Sequence, residues 1–438
     1  MDYNSFYEIL NQNIIMYMYI MIPIALIYFI AVKRQLYNVY DPLFLFILYS
    51  IGATTTNIFL YKLNYIKTDL IVQYVLTEIA FVVGLNIFKK INLEKIQAII
   101  IYKKEDFELQ KVVFIITSII YIIAQLYVYI KIGIPMFYDQ TEKSLIDMQL
   151  EAGKFTIILT GCLPILIYCG ISNIMNSKKS KIQYKIYNIS ILIFVVISLV
   201  LSGWKSNFII IVFIGFYYSI YMYRFLEDPK LVIRKIHKMS IKILGLAFIS
   251  AILITAYRYT NCNYNEALDY IFHRFAISGD IFIYSYVNDS ILNQVDSGNF
   301  ITNLFGNLVF FKHWINAYST DAVKANLGLQ VFKIFKNVNY VSGPNPRHNF
   351  FGMIYFGTVG SIFYSFFIGV IIGFVRNKLY YKLPANIFGG IIYSSIAYYI
   401  IYAHIDLLSL CLGPIDAFLI IFITIYILSH IILKTSKQ

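Results

Sequence analysis

The sequence predicts an all-α polytopic membrane protein with about 11 transmembrane helices and one large, partly helical external loop. Three observations lead there. Of 438 residues, 59% are hydrophobic and only 13% are charged, against about a quarter charged in a soluble domain; mean hydropathy is +0.68. Apolar runs near the ~20 residues that a bilayer requires recur along the chain. Lysine and arginine also alternate between successive connections, as orientation in a membrane demands. Too few charges remain to coat a soluble surface, which excludes a cytosolic enzyme, a disordered chain and a disulfide scaffold.

The runs are 14–32, 42–61, 70–88, 112–130, 155–174, 186–202, 207–223, 243–256, 349–375, 385–403 and 416–433. The first lacks a basic leader and a small-residue cleavage site, so it reads as a span and not as a signal peptide. The connections at 33–41, 89–111, 175–185, 224–242 and 376–382, with the C-terminal tail, hold 23 of the 36 basic residues. The opposite side holds 13, of which 7 lie in the single loop 257–348. No Lys or Arg precedes Lys33. An odd number of spans, with the N-terminus outside and the C-terminus inside, satisfies every short loop together. The net charge of +13 is then a topology signal and not a nucleic-acid footprint. We expect one integral membrane domain over 1–438, with 257–348 as its large external loop.

Within that loop, 264–277 and 299–316 carry apolar residues at helical spacing, and Asn263 with Glu266 makes an N-terminal capping pair. Gly343, Pro344 and Pro346 interrupt the chain before the ninth run. The 40 Tyr and 36 Phe accompany an excess of Ile, Lys and Asn, a joint bias of AT-rich codons that supports no ligand. Four cysteines make no metal pattern. Internal connections are too short for a nucleotide-binding domain, and no phosphate-binding glycine loop occurs. We expect no cofactor and no metal.

The chemistry-bearing candidates are few. Of seven arginines, Arg258, Arg274 and Arg347 fall in the external loop. A guanidinium grips phosphate oxygens through two parallel hydrogen bonds. Arg258 opens the loop and Arg347 closes it, which places both near the outer membrane surface, at the level of lipid phosphates. The plainer reading has them snorkelling to headgroups or pairing with loop acids. His348, beside Arg347 and Asn349, suits proton transfer near neutral pH; it serves equally as an interfacial anchor. His273, beside Arg274, is a second candidate base, and Asp280 a third or an arginine partner. His313 and His404 are weaker. Lys205 stands in a tight external turn, Ser202–Asn207. Glu78 lies mid-span, where acids are costly and are either functional or paired; pairing with Thr54 is the favoured reading. Cys262 and Cys411 share the external side.

Four stretches carry a likeness. Gly133-Ile134-Pro135-Met136-Phe137, Ser202-Gly203-Trp204-Lys205-Ser206, the loop bearing Arg258 and Arg274, and Pro346-Arg347-His348-Asn349-Phe350-Phe351-Gly352 running on to Gly357 and Gly360 resemble segments of the Wzy-type O-antigen polymerases, the oligosaccharide repeat unit polymerase family. The resemblance extends over nearly the whole chain in topology, through short motifs. Lys205 replaces the family's usual Arg, and nine residues separate Arg347 from Gly357 where some members have ten. The resemblance implies a metal-independent glycosyl transfer at the periplasmic face of a bacterial inner membrane, with the N-terminus periplasmic and the C-terminus cytoplasmic. A glycan on undecaprenyl diphosphate would be the donor and a lipid-linked repeat unit the acceptor. Arg258, Arg274, Arg347 and Lys205 would bind diphosphate, and His348, Asp280 or His273 would take the acceptor's proton. The membrane, the lipid-linked oligosaccharides and a chain-length regulator are the partners expected; nucleic acid is not. An O-antigen ligase and a non-enzymatic flippase of lipid-linked glycan stand as alternatives.

Overall fold

The computed structural model describes all residues except 97–103, 139–144, 176–180, 205–206, 226–229, 260–262, 297, 309–325, 337–342 and 437–438. Among the described residues every regular element is helical and none is a strand. In chain order the helices are α1 (Tyr3–Gln12), α2 (Ile14–Val32), α3 (Pro42–Lys62), α4 (Thr68–Asn86), α5 (Lys104–Ile132), α6 (Leu145–Ala152), α7 (Lys154–Met175), α8 (Ile182–Leu201), α9 (Ile209–Tyr221) and α10 (Lys230–Tyr259). They continue with α11 (Tyr264–Ala276), α12 (Asp280–Ser285), α13 (Asp289–Leu292), α14 (Phe300–Asn307), α15 (Leu327–Lys336), α16 (Arg347–Phe374), α17 (Ile387–Ile400), α18 (Ala403–Asp406) and α19 (Gly413–Thr435).

Among the described residues, nine helical segments are long and apolar enough to cross a membrane, and Ile209–Arg224 is a shorter apolar helix. The last of the nine, Ile387–Thr435, contains two of the eleven expected runs, so every expected run lies on a helix. The all-α polytopic architecture is therefore as the sequence predicts. The helix α11 also starts where expected: the Asn263 side chain accepts from the Glu266 N–H at 3.3 Å and donates to the Glu266 carboxylate at 2.7 Å.

The chain divides into two compact units. The first comprises 1–90, 269–378 and 400–413, and the second 91–268, 379–399 and 414–438. In the second unit, amides tie α5, α7 and α8 together. Gln110 donates to Asn173 at 2.7 Å, Ser172 donates to Gln110 at 2.9 Å, and Asn173 donates to Asn188 at 3.1 Å. Apolar side chains gain nothing by leaving lipid for one another, so such hydrogen bonds and close backbone packing associate membrane helices.

In the first unit the same physics is concentrated between α4 and the later part of α16. A Cβ added at Gly84 would lie 2.1 Å from the Phe366 carbonyl oxygen; one at Gly369 would lie 2.2 Å from that of Phe81, and one at Gly373 would lie 2.8 Å from that of Leu85. Ser361, Ser365, Gly369 and Gly373 recur every four residues, which makes one smooth stripe down the helix. Only residues without a Cβ, or with a very small side chain, permit two backbones to approach so closely.

A buried ion pair secures the far end of this contact. Arg376 donates two hydrogen bonds to Asp41, both at 2.8 Å, and both side chains are fully enclosed. Asp41 also accepts from the Leu43 N–H at 2.9 Å, which caps α3. Arg376 sits in a π-turn, Val375–Leu379, whose extra residue rotates the side chain towards Asp41. Arg376 is thus a structural tie in addition to a charge that marks one side of the membrane.

Replacing Gly84 or Gly369 with Leu should lower the stability of the purified protein by about 1–3 kcal/mol or more, since neither backbone can yield. Gly245→Ala, where the new methyl meets nothing within 4 Å, should be neutral or stabilising by up to about 1 kcal/mol. Thermal unfolding in detergent compares the three; equal losses would discredit the close-contact account.

Candidate functional site

The ninth run behaves differently from a single span. At Gly357 the backbone turns to φ 69°, ψ −175°, and α16 becomes two arms. A continuous helix would separate His348 from Ser365, seventeen residues on, by about 25 Å; instead His348 Nδ1 lies 2.9 Å from Ser365 Oγ. Gln73 donates both to the Asn349 carbonyl at 3.2 Å and to Ser361 Oγ at 2.9 Å. Residues 347–356 therefore form a half-helix folded back along 358–374. Gly352 allows the return: its missing Cβ would stand 3.0 Å from Ser361 Cα. The approach to the half-helix is equally tight. Gly343 and Gly328 face one another backbone to backbone, with 2.5 Å left between an added Gly343 Cβ and the Gly328 carbonyl oxygen.

This fold-back corrects the expected position of Arg347 and His348. The sequence places them at the membrane surface; the structure buries them beside Glu78, midway along α4. Arg347 Nη2 lies 3.7 Å and His348 Nε2 3.6 Å from Glu78 Oε1, and Asn349 donates to the same oxygen at 3.2 Å. Three consecutive residues of a regular helix fan over 200°; here they converge because Arg347 adopts a left-handed φ of 50°. That conformation costs a non-glycine residue roughly 1–2 kcal/mol. Arg347 also donates to Ser50 Oγ at 2.9 Å. On the other side, Tyr28 donates to Glu78 Oε2 at 2.7 Å. The Tyr28 hydroxyl lies 2.9 Å from Thr54 Oγ1, which lies 2.9 Å from the Tyr74 hydroxyl. Thr54 thus reaches Glu78 through Tyr28, and the expected structural pairing is one part of a larger cluster. His348 stacks on Phe81, with ring centroids 4.8 Å apart. Both its ring nitrogens are turned inward, which removes it from direct contact with a substrate in this conformation.

A second cluster lies along the same segment of α3. Asp280 opens α12. It accepts from the Tyr3 hydroxyl at 3.0 Å, from Arg274 at 3.4 Å and from the Ile281 N–H at 3.1 Å. Arg274 is half exposed, at 49%, whereas Asp280 is 8% exposed. Ser278 donates to the Tyr49 carbonyl at 3.0 Å, and an added Gly279 Cβ would be 3.0 Å from Ala53 Cα. The two clusters therefore share residues 49–53, with Arg347 bonded to Ser50 between these contacts. Burial raises the Asp280 carboxyl pKa above its ordinary value, while Arg274, Tyr3, the Ile281 N–H and Arg347 pull it back. An acid poised in this way is a stronger base than an exposed aspartate. His273 packs its ring against Tyr7 at 4.5 Å.

Arg258 falls near the end of α10, in the second unit, and its side chain lies outside the described residues. Lys205, His313 and Cys262 lie outside them too. Cys411 is a buried free thiol. His404 adjoins the Glu78 cluster: it donates from Nδ1 to the Ile401 carbonyl at 2.6 Å and packs on Phe46 and on Phe81, the ring that also carries His348. Asp406 accepts from the N–H groups of Leu408 and Ser409 and so caps the next turn. In the second unit, the two short turns of the family likeness meet: an added Gly203 Cβ would lie 3.5 Å from Met136 N. Tyr28, Ser365, Tyr3 and the central role of Glu78 were not singled out from sequence. The four-residue spacing of Ser361, Ser365, Gly369 and Gly373 is the signal that points to the close contact. Among the described residues no group of three His, Cys, Asp or Glu side chains is arranged to hold a metal ion.

Compared with known proteins, the chain matches no family model, no curated protein and no solved structure.

Arg347→Leu should cost about 3–5 kcal/mol, because Glu78 would keep a buried charge without its counter-ion. Arg274→Leu should cost less, about 1–2 kcal/mol, because its side chain is half exposed and the Tyr3 hydroxyl and the Ile281 N–H still bond Asp280. Chemical unfolding in micelles reads the difference, and equal costs would contradict the burial assigned to Arg347.

Proposed function

We propose that the protein is a glycosyltransferase that polymerises oligosaccharide repeat units carried on undecaprenyl diphosphate, at the periplasmic face of the inner membrane. The observation that carries this reading is the grouping on residues 49–53 of α3: a half-exposed arginine over a buried acid, Arg274 and Asp280, beside Arg347 at the start of a half-helix. A helix N-terminus and a guanidinium both attract phosphate. The resemblance to Wzy-type polymerases supplies the substrate class.

In this reading the acceptor's sugar hydroxyl attacks the anomeric carbon of the donor glycan. The bond from that carbon to the diphosphate oxygen breaks, and its electron pair leaves with undecaprenyl diphosphate. Arg274, with the charge of Arg347 behind it, stabilises the departing diphosphate. Asp280 takes the hydroxyl proton. His348, buried with Nδ1 on Ser365 and Nε2 turned towards Glu78, supports Arg347 and does not serve as the base. A ligase would use the same donor and the same residues with a different acceptor.

A second reading has one observation in its favour. Secondary transporters build mid-membrane sites from broken helices with buried charge, and the half-helix 347–356 brings Arg347 and His348 to Glu78. A flippase of lipid-linked glycan fits that feature without using the Arg274–Asp280 pair.

Deleting the gene and resolving surface polysaccharide on a gel separates these readings. A polymerase deletion leaves a single repeat unit on the core and no ladder. Core without any repeat would point to ligation or flipping and would overturn the polymerase. Arg274→Ala, Asp280→Asn and Arg347→Ala should each abolish the ladder while the protein still reaches the membrane.

Purified protein should show an acid limb in its rate profile. A base must be ionised, so the rate holds above the Asp280 pKa and falls as pH drops through it. Since that pKa is raised, the fall should begin at higher pH than for an ordinary carboxylate. A profile flat down to pH ~4, the ordinary aspartate range, would exclude Asp280 as the base.

A further inference from the structure

The half-helix 347–356 is held by an unusual set of forces. Along its length the contact with 358–374 is made of uncharged groups: Gly352 on Ser361, His348 on Ser365, and Phe351 stacked on Tyr364 at 5.3 Å. At its start, three successive side chains face one carboxylate oxygen. Two of those contacts, from Arg347 and His348, span 3.7 Å and 3.6 Å, beyond the reach of a hydrogen bond. Arg347 Nε, His348 Nε2 and Asn349 Oδ1 are enclosed and lack hydrogen-bond partners. Hydrogen bonds to neutral partners seat this end, from Arg347 to Ser50 at 2.9 Å, from Asn349 to Thr77 at 2.9 Å and from Gln73 to the Asn349 carbonyl at 3.2 Å, but the pull of Arg347 on Glu78 is not one of them. Charge attraction acts well across such a gap in a medium of low dielectric constant, and Glu78 is the acid that faces Arg347.

We propose that Glu78 is the positioning residue of the site: its negative charge latches the Arg347–Asn349 end of the half-helix and so sets Arg347 against α3 beside Asp280. Tyr28, backed by Thr54 and Tyr74, orients the carboxylate from the opposite side. Release of the latch would let the half-helix swing about Gly357, where an added Cβ meets nothing within 4 Å. Glu78 itself touches no substrate. Its effect on turnover rests on the glycosyl-transfer reading; its effect on the half-helix does not.

The test uses the full-length protein with Cys162, Cys169, Cys262 and Cys411 replaced by Ser, and with Ser361→Cys as a reporter beneath the half-helix. Ser361 is fully buried, so its thiol should react slowly with N-ethylmaleimide. Glu78→Gln keeps the shape and one acceptor but removes the charge; labelling should accelerate at least tenfold. Glu78→Asp should restore most of the protection. Unchanged labelling in a Glu78→Gln protein that elutes as a single folded species would overturn the latch. If that variant fails to fold, Arg347→Gln removes the same attraction from the other side and decides the matter by the same readout.

Turnover is measured on lipid-linked oligosaccharide extracted from cells that lack the gene. Glu78→Gln should reduce kcat/KM at least tenfold. Combined with Arg347→Lys it should lose no more than the worse single variant, as expected of residues acting through one contact. Additive losses would overturn the positioning role. Accelerated labelling together with a parent protein that polymerises nothing would remove the transfer reading and leave the latch standing.

Discussion

The first unit is organised around one contact, the near-touching backbones of α4 and residues 358–374. In a bilayer this contact cannot be driven by the hydrophobic effect. It depends on the absence of side-chain atoms at Gly84, Gly369 and Gly373, where an added methyl would sit within 2.1–2.8 Å of a carbonyl oxygen. Because the helices lie so close, Gln73 reaches Ser361 and the Asn349 carbonyl together. The half-helix is in turn seated by Gly352 against Ser361. The buried cluster then follows from geometry: a half-helix returned along 358–374 delivers its first residues beside the middle of α4.

The charges in that cluster are a liability that the packing makes tolerable. A lone carboxylate or guanidinium within a bilayer costs several kcal/mol. Glu78 and Arg347 offset one another at 3.7 Å, and Tyr28, Asn349 and Ser50 satisfy further atoms. The satisfaction is incomplete, since Arg347 Nε and His348 Nε2 have no hydrogen-bond partner. The Asp41–Arg376 pair shows the alternative. Its two bonds of 2.8 Å form a bidentate, fully enclosed tie suited to fixing a structure. The loose geometry around Glu78, with a left-handed arginine at its edge, suits a site where side chains must answer to a ligand.

The two clusters on α3 divide the chemical work proposed for the molecule. Arg274 and Asp280 stand at an edge, one half exposed and one buried. Arg347, His348 and Glu78 stand behind them, enclosed. An anion arriving at Arg274 would meet a second positive charge deeper in the protein without contacting it directly. The arrangement also explains why a motif as polar as Arg347-His348-Asn349 can precede a long apolar stretch: it is the start of a helix that turns back, and its polar residues meet polar partners.

Composition, run length and the distribution of lysine and arginine were enough to determine the helical membrane class and to place a helix at each of eleven runs. Those are one-dimensional properties, set by the thickness of a bilayer and the cost of moving charge across it. The capping pair Asn263–Glu266 was legible for the same reason, being local. The burial of Arg347 and His348 beside Glu78 was not. Periodicity cannot distinguish one long helix from two arms folded at a glycine, because both are apolar throughout; only the φ of Gly357 and the fit of Gly352 on Ser361 decide between them. The pairing of Glu78 with Thr54 was half legible, as their similar depth follows from span register, but the intervening Tyr28 comes from another helix. Arg274 and Asp280 were separate candidates until α12 packed on α3. Sequence determines what each segment must be to live in the membrane, whereas the meeting of Glu78 with Arg347 depends on backbones brought into contact by missing side chains, and that only the tertiary structure decides.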